Sequence, residues 1–420
     1  MSHGWSVYPH HIRARLTLVC RAWYTVLYNE PRVWTTIVFL GRFLVHPESV
    51  SLWIKKSKSA PLVIFIPHCR MDLGPDSSLS MLRKEMWRIR CFFWNIYLET
   101  DLSVLFPLDV STNAPMLQSF ALFSPYMSGF NQDTVKLGDI HCPELRTLLL
   151  SRVKSDIKSL TVGPLKNVQH LIVDRRFPDL HDVNLALTYL RLLEALPNLV
   201  SLSLNLSGYG TPLPVVFPRV VLQPLKSLTL ELCCGRTMTS MLESLHVTSL
   251  ERLVLGVTTS HDFTESMEAF CDNLFQLRHL TLRNIGIGRR VHVLLDHLEH
   301  LESLTIDKLY DVDELLIALS SHNPGSSIRC PYLNTIDISF SLNLKPDVLV
   351  DFVQQRVKSD LDDPAPGLVT CLKLSEQIRS NEKLYAQLVK THSSSIIFSG
   401  SHATNAEIIL YVVSLSVCGL

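Results

Sequence analysis

Apolar residues recur along this chain in a short fixed pattern, occupying the first, fourth and sixth of six positions. The segments are LQSFAL from Leu117, LRTLLL from Leu145, VQHLIV from Val168, LVSLSL from Leu199, LKSLTL from Leu225, LERLVL from Leu250, LRHLTL from Leu277, LESLTI from Leu301 and LNTIDI from Leu333. Their starts lie 28, 23, 31, 26, 25, 27, 24 and 32 residues apart, a mean of 27. All twenty-seven key positions are apolar. Side chains on a strand alternate between two faces, so each segment is predicted to be a short strand with one buried face.

Between these strands the apolar spacing changes to a helical period. It does so over 182–196 (DVNLALTYLRLLEAL), 263–274, 289–298 and 313–319. A strand followed by a helix every 20 to 29 residues or so is the leucine-rich-repeat unit. The predicted fold is therefore α/β: a leucine-rich-repeat solenoid with a parallel concave sheet and helices on the convex side. Pro115, Pro143, Pro197 and Pro331 stand just before strands, where no ladder donor is lost. Only Cys233 matches the turn-bonding Asn or Cys of a regular repeat, so irregular repeats are expected. Weaker strands are read at 61–67 (PLVIFIP), 87–94 (WRIRCFFW) and 368–374, with helices at 48–57, 78–86 and 346–357. A capping helix is expected at 380–390, and no element is assigned from Thr391 onward. The solenoid is thus expected over 47–375, after a helical segment at 1–46 and before a cap helix and poorly ordered tail at 376–420.

Composition narrows the function classes. Lys+Arg 39 balances Asp+Glu 39, leaving no global charge to draw nucleic acid or an anionic membrane. A hydrophobic fraction of 47% with 19% charged residues supplies a core and excludes general disorder. The ten cysteines form no CxxC, which fits reduced thiols and a cytoplasmic or nuclear location. No signal-peptide pattern is read at the start. The longest apolar run, 408–417, is broken by Ser414 and Ser416 and falls short of the roughly 20 residues a membrane helix needs. No membrane partner is expected. The tail over 391–420, ending in the apolar segment 407–420 (EIILYVVSLSVCGL), breaks the repeat pattern and is read as a non-native or disordered end, with an extra edge strand or a weak membrane contact as the alternatives.

Residues 16–34 read LTLVCRAWYTVLYNEPRVW. Leu16, Val19, Cys20, Trp23, Val26 and Leu27 fall on one helical face, Pro31 ends the helix, and Trp34 follows in an extended segment. The VCRAW segment and the second Trp resemble the second half of an F-box. Residues 53–62 (WIKKSKSAPL) resemble the W-x-x-x-S-x-x-A-P-L junction of F-box leucine-rich-repeat proteins of mushroom-forming fungi. The first fifteen residues contain no L-P-x-E-I/L start, which departs from the F-box pattern. The resemblance implies a substrate-recruiting subunit of a cullin–RING (SKP–cullin–F-box) ubiquitin ligase. Leu16, Val19, Cys20, Trp23, Val26, Leu27 and Trp34 would then bind the SKP-family adaptor of the cullin complex. The alternative is a scaffold whose N-terminal helix only shields the first repeat.

Residues alternating with the buried leucines are expected on the open face of the sheet. They include His170, Asp174, Asn205, Glu231, Arg252, His279, Arg283, Asp307 and Asp337. This polar, mixed-charge face suits an unidentified protein substrate better than a small molecule; the other reading is a merely solvated surface. His292, His297 and His300 lack the companions of a zinc site, and Gly286 and Gly288 lack the third glycine of a dinucleotide loop. No Ser-His-Asp or paired-carboxylate signature occurs. The expectation is a non-enzymatic chain without cofactor or metal.

Overall fold

The computed structural model describes residues 18–39, 47–66, 77–95, 112–123, 140–153, 165–174, 190–206, 217–232, 235–257, 270–285, 291–307, 312–320, 329–340, 344–357, 368–375, 378, 381–392 and 394–399. They fall into two compact units, within 18–174 and within 190–399.

The first unit begins with helix α1 (Arg21–Asn29) and a 3-10 turn (Pro31–Trp34). Strand β1 (Thr36–Val38), helix α2 (Pro47–Ser57), β2 (Leu62–Ile66), helix α3 (Ser78–Lys84) and β3 (Ile89–Asn95) follow. Then come β4 (Thr112–Asn113), β5 (Ser119–Phe123), β6 (Ile140–His141), β7 (Thr147–Ser151) and β8 (His170–Asp174). Strands β1, β2, β3, β5, β7 and β8 pair in parallel in that order, and β4 pairs separately with β6.

The second unit opens with a helical turn at 190–194 and β9 (Ser201–Leu206). Next are β10 (Val220–Val221), β11 (Ser227–Leu232), helix α4 (Gly235–Ser244), β12 (Leu245–His246), β13 (Arg252–Val257) and β14 (His279–Arg283). Helix α5 (Val291–Asp296), β15 (Ser303–Asp307), helix α6 (Val312–Ser320), β16 (Thr335–Asp337) and helix α7 (Pro346–Arg356) continue it. It ends with β17 (Cys371–Ser375), helix α8 (Glu382–His392) and β18 (Ile396–Ser399). Strands β9, β11, β13, β14, β15, β16, β17 and β18 pair in parallel in chain order.

Open parallel runs in chain order, with helices or turns between strands, make each unit a stretch of leucine-rich-repeat solenoid. The register explains why the leucine pattern is needed. Leu228 pairs with Leu202 and Leu253, and Leu253 with Leu280, so each key position stacks on its counterpart in the next repeat. All twenty-seven key positions are 3% exposed or less. Helix α6 closes this layer with Leu315, Leu316 and Leu319 and packs on α5 and α7.

Among the described residues, each unit also buries one arginine against the end of a helix. The Arg88 guanidinium donates to Ser57 Oγ at 3.0 Å, to Ala60 O at 2.9 Å and to Ile54 O at 3.3 Å, and its Nε meets Glu85 at 2.6 Å. It thereby satisfies carbonyls left over at the C-terminal end of α2. Arg356, at the end of α7, donates to Leu319 O at 2.6 Å, to Arg329 O at 3.2 Å and to Cys330 O at 3.5 Å.

Two differences from the sequence expectations stand out. The segment after Thr391 contains a strand: β18 runs parallel to β17 from Leu372↔Ile396 to Ser375↔Ser399, with Ile396 buried. It is too short to show a period, which hid it. Of the helix expected at 263–274, residues 271–273 form a 3-10 turn and 263–269 lie outside the described residues. Of the one expected at 182–196, the part before Leu190 lies outside them. So do Cys233, Gly286, Gly288 and 400–420.

The thiols differ sharply in accessibility. Burial pushes the Cys142 thiol up to about 11 and the Cys330 thiol up to about 12, whereas Cys20 is exposed. Iodoacetamide at about pH 8 should therefore modify Cys20 in the native chain and spare Cys142 and Cys330 until the chain is unfolded. Peptide mass spectrometry before and after denaturant reads this. Because these two folded values are raised, the unfolded thiols ionise first. Folding stability should fall as pH rises from the ordinary thiol range near 9.0 towards about 11 for Cys142 and about 12 for Cys330.

Candidate functional site

The first candidate surface is α1. Pro31 and the 3-10 turn stop the helix, and Trp34 Nε1 donates to Leu27 O at 2.8 Å, tying its C-terminal end down. Tyr28 stacks on Tyr24 at 5.5 Å and meets Trp34 edge-on at 6.3 Å. Lys56 of α2 places its Nζ 3.0 Å from the centre of the Tyr28 ring, and a hydrogen bond and charge from Lys56 lower the Tyr28 pKa. Leu27 is turned inward and Trp34 is half-buried. The remainder of the face is open: Val19 is 62% exposed, Trp23 49% and Val26 63%, with Cys20 exposed beside them and Leu18 85% exposed. Leu16 lies outside the described residues. Clustered apolar exposure of this kind marks a contact surface.

The second is the open face of the strands. His170 and Asp174 lie on β8 of the first unit, where Ser151 Oγ donates to Asp174 Oδ2 at 3.2 Å. The other seven candidates belong to the second unit. Register brings Asn205, Glu231, Gly256, Arg283 and Asp307 into one row on β9, β11, β13, β14 and β15. Asn205 Nδ2 donates to Glu231 Oε2 at 2.5 Å, and Arg283 Nη1 donates to Glu231 Oε1 across the strand between them. That strand carries Gly256, whose Cβ, if present, would stand 3.2 Å from Glu231 Cγ and 3.4 Å from Arg283 Cβ. The missing side chain leaves the ion pair room to form. Asp307 Oδ1 is buried without a hydrogen-bond partner among the described residues. Arg252 and His279 pair in another row. Asp337 accepts from Ser339 Oγ at 2.6 Å and lies 3.6 Å from Lys373 Nζ.

The polar positions expected from His170 onward lie on β8 of the first unit and on the strands of the second, and the earlier strands of the first unit differ from them. In the first unit Val63, Phe65, Phe93 and Phe123 occupy the alternating half-buried positions, with ring centres 5.6 Å apart for Phe65 and Phe93 and 4.8 Å for Phe93 and Phe123. The signal was present in PLVIFIP and CFFW, where the residues between the core positions are themselves apolar. Among the described residues, no group of three or more His, Cys, Asp or Glu is placed to hold a metal ion. No described helix is long and apolar enough to cross a membrane.

No family model and no curated protein matches the chain. Among solved structures it is similar to an internalin (inlF) from Listeria monocytogenes str. 4b F2365, at 16% identity and a TM-score of 0.36, covering 77% of this chain and 89% of that one.

Proposed function

We propose that this chain is a protein-interaction module. It acts as the substrate-recruiting subunit of an SKP–cullin–F-box ubiquitin ligase in the cytoplasm or nucleus. The SKP-family adaptor docks on α1 through Val19, Cys20, Trp23 and Val26, and a protein substrate docks on the polar open face of the second unit. The observation that carries this is the open apolar face of α1, on the residues of the VCRAW segment. A helix serving only to cap the first repeat would turn that face inward. The inward Leu27 and the tethering Trp34 favour the alternative, a repeat scaffold with an F-box remnant and no ligase role.

Pull-down with a purified SKP-family adaptor separates the two. The wild-type chain should bind, and Val19→Asp should weaken binding by tenfold or more, equivalent to about 1.4 kcal/mol. Val19 is 62% exposed, so the substitution should leave the melting temperature unchanged. If the wild type fails to bind, the ligase reading falls and the scaffold stands.

A further inference from the structure

The residue after the first leucine of each repeat forms a row of its own at the N-terminal rim of the second unit. Lys226, Glu251, Arg278 and Glu302 alternate in charge. Their backbones are tied strand to strand: Glu251 N donates to Lys226 O at 2.9 Å, Arg278 N to Glu251 O at 2.9 Å and Glu302 N to Arg278 O at 2.8 Å. Side-chain pairs follow the same row, Lys226 with Glu251 at 2.8 Å and Arg278 with Glu302 at 3.2 Å. Over it opens a cleft of about 350 Å³ lined by Glu251, Gln276, Arg278, His300, Glu302 and Tyr332. The His300 and Tyr332 rings stack 5.8 Å apart at 23°, and Tyr332 is 59% exposed.

We infer that this rim cleft receives an arginine side chain of a protein partner, lying flat on the His300–Tyr332 pair with its N–H groups on Glu251 and Glu302. Three features select that chemistry. Two carboxylates line the cleft against one guanidinium, Lys226 holding Glu251 from outside the lining. The Arg278–Glu302 pair is solvent-exposed on both sides, and such pairs are weak and exchange partners readily. An exposed aromatic plane beside carboxylates suits a planar guanidinium, which stacks and offers paired donors, better than an ammonium. The hydrogen bond from Lys226 holds the Glu251 carboxyl below its ordinary range, so it is charged at neutral pH.

This inference rests on the protein-binding reading and can fail separately from it. The test is binding of the full chain to arrayed short peptides, identical except for a central Arg, Lys, citrulline or Glu, in several flanking contexts. Arginine peptides should be held about tenfold tighter than their citrulline counterparts, with lysine between. The preference should vanish in Glu302→Gln and Tyr332→Ala, and persist in Glu314→Gln, an exposed position on α6 away from both surfaces. Unchanged melting temperatures would show that the variants are folded. Equal binding of arginine and citrulline, a preference for Glu, an undiminished preference in the rim variants, or no peptide binding at all would overturn it. Binding without arginine preference that Glu231→Gln weakens would reject the rim while keeping protein recognition by the open face. The adaptor pull-down tests the ligase assignment independently.

Discussion

Leu280→Asp should leave the second unit largely unfolded, whereas Thr281→Asp, one residue along the same strand, should change stability by less than about 1 kcal/mol. Leu280 is 1% exposed and lies in register between Leu253 and Leu304, both also buried. A carboxylate there loses its hydration and gains no cation or donor, and it removes a side chain from a close-packed stack. The combined cost is about 4 kcal/mol or more, a large part of the 5–15 kcal/mol that holds a typical domain folded. Thr281 pairs with Val254 and Thr305 on the opposite, half-open face, where a carboxylate keeps its water. Urea unfolding of the two variants measures the contrast. Similar losses in both would mean that the strand does not alternate as described. Leu202→Asp in β9 should behave like Leu280→Asp, since Leu202 holds the equivalent place beside Leu228.

That contrast is legible in the sequence because a repeated strand makes one physical demand many times. LRHLTL and LVSLSL show the alternation directly, and the spacing near 27 residues announces the stacking before any coordinate is known. What the sequence hides is who meets whom across the stack. Glu231 and Arg283 stand 52 residues apart, and their contact depends on register and on Gly256 having no side chain. The single strand β18 offers too few residues to reveal a period. The rim row was readable in principle, as Lys, Glu, Arg and Glu after four successive first leucines. Strand alternation draws the eye to the third and fifth positions and past the second. For α1 the amphipathic spacing put Leu27 with the contact residues. Tertiary packing instead uses Leu27 and Trp34 to seat the helix and leaves Val19, Cys20, Trp23 and Val26 open.

Arg356 is the residue that sequence reasoning values least against what it does. On a helical pattern a terminal arginine reads as a solvated end, yet Arg356 is 1% exposed. Burial lowers its pKa, but it remains a cation at any ordinary pH. Its fork reaches three carbonyls, Leu319 O where α6 ends and Arg329 O and Cys330 O at the turn into β16. Leu319 and Cys330 are buried, so their carbonyl oxygens have little water to turn to if the guanidinium goes. Arg356→Met keeps much of the volume and removes every donor. Each stranded acceptor costs about 1–3 kcal/mol, so a loss of about 3 kcal/mol or more is expected. Arg356→Lys should recover only part of it, because one ammonium cannot present the planar pair of donors that Leu319 and Arg329 share. The order wild type, Lys, Met in unfolding midpoint is the expected result. If Met matches the wild type, the carbonyls find other donors and the clamp contributes nothing. Arg88→Met in the first unit is the companion measurement. It should cost more than the loss of its bonds to two carbonyls and one hydroxyl alone, because Glu85, 2.6 Å from Arg88, would be left without its cation.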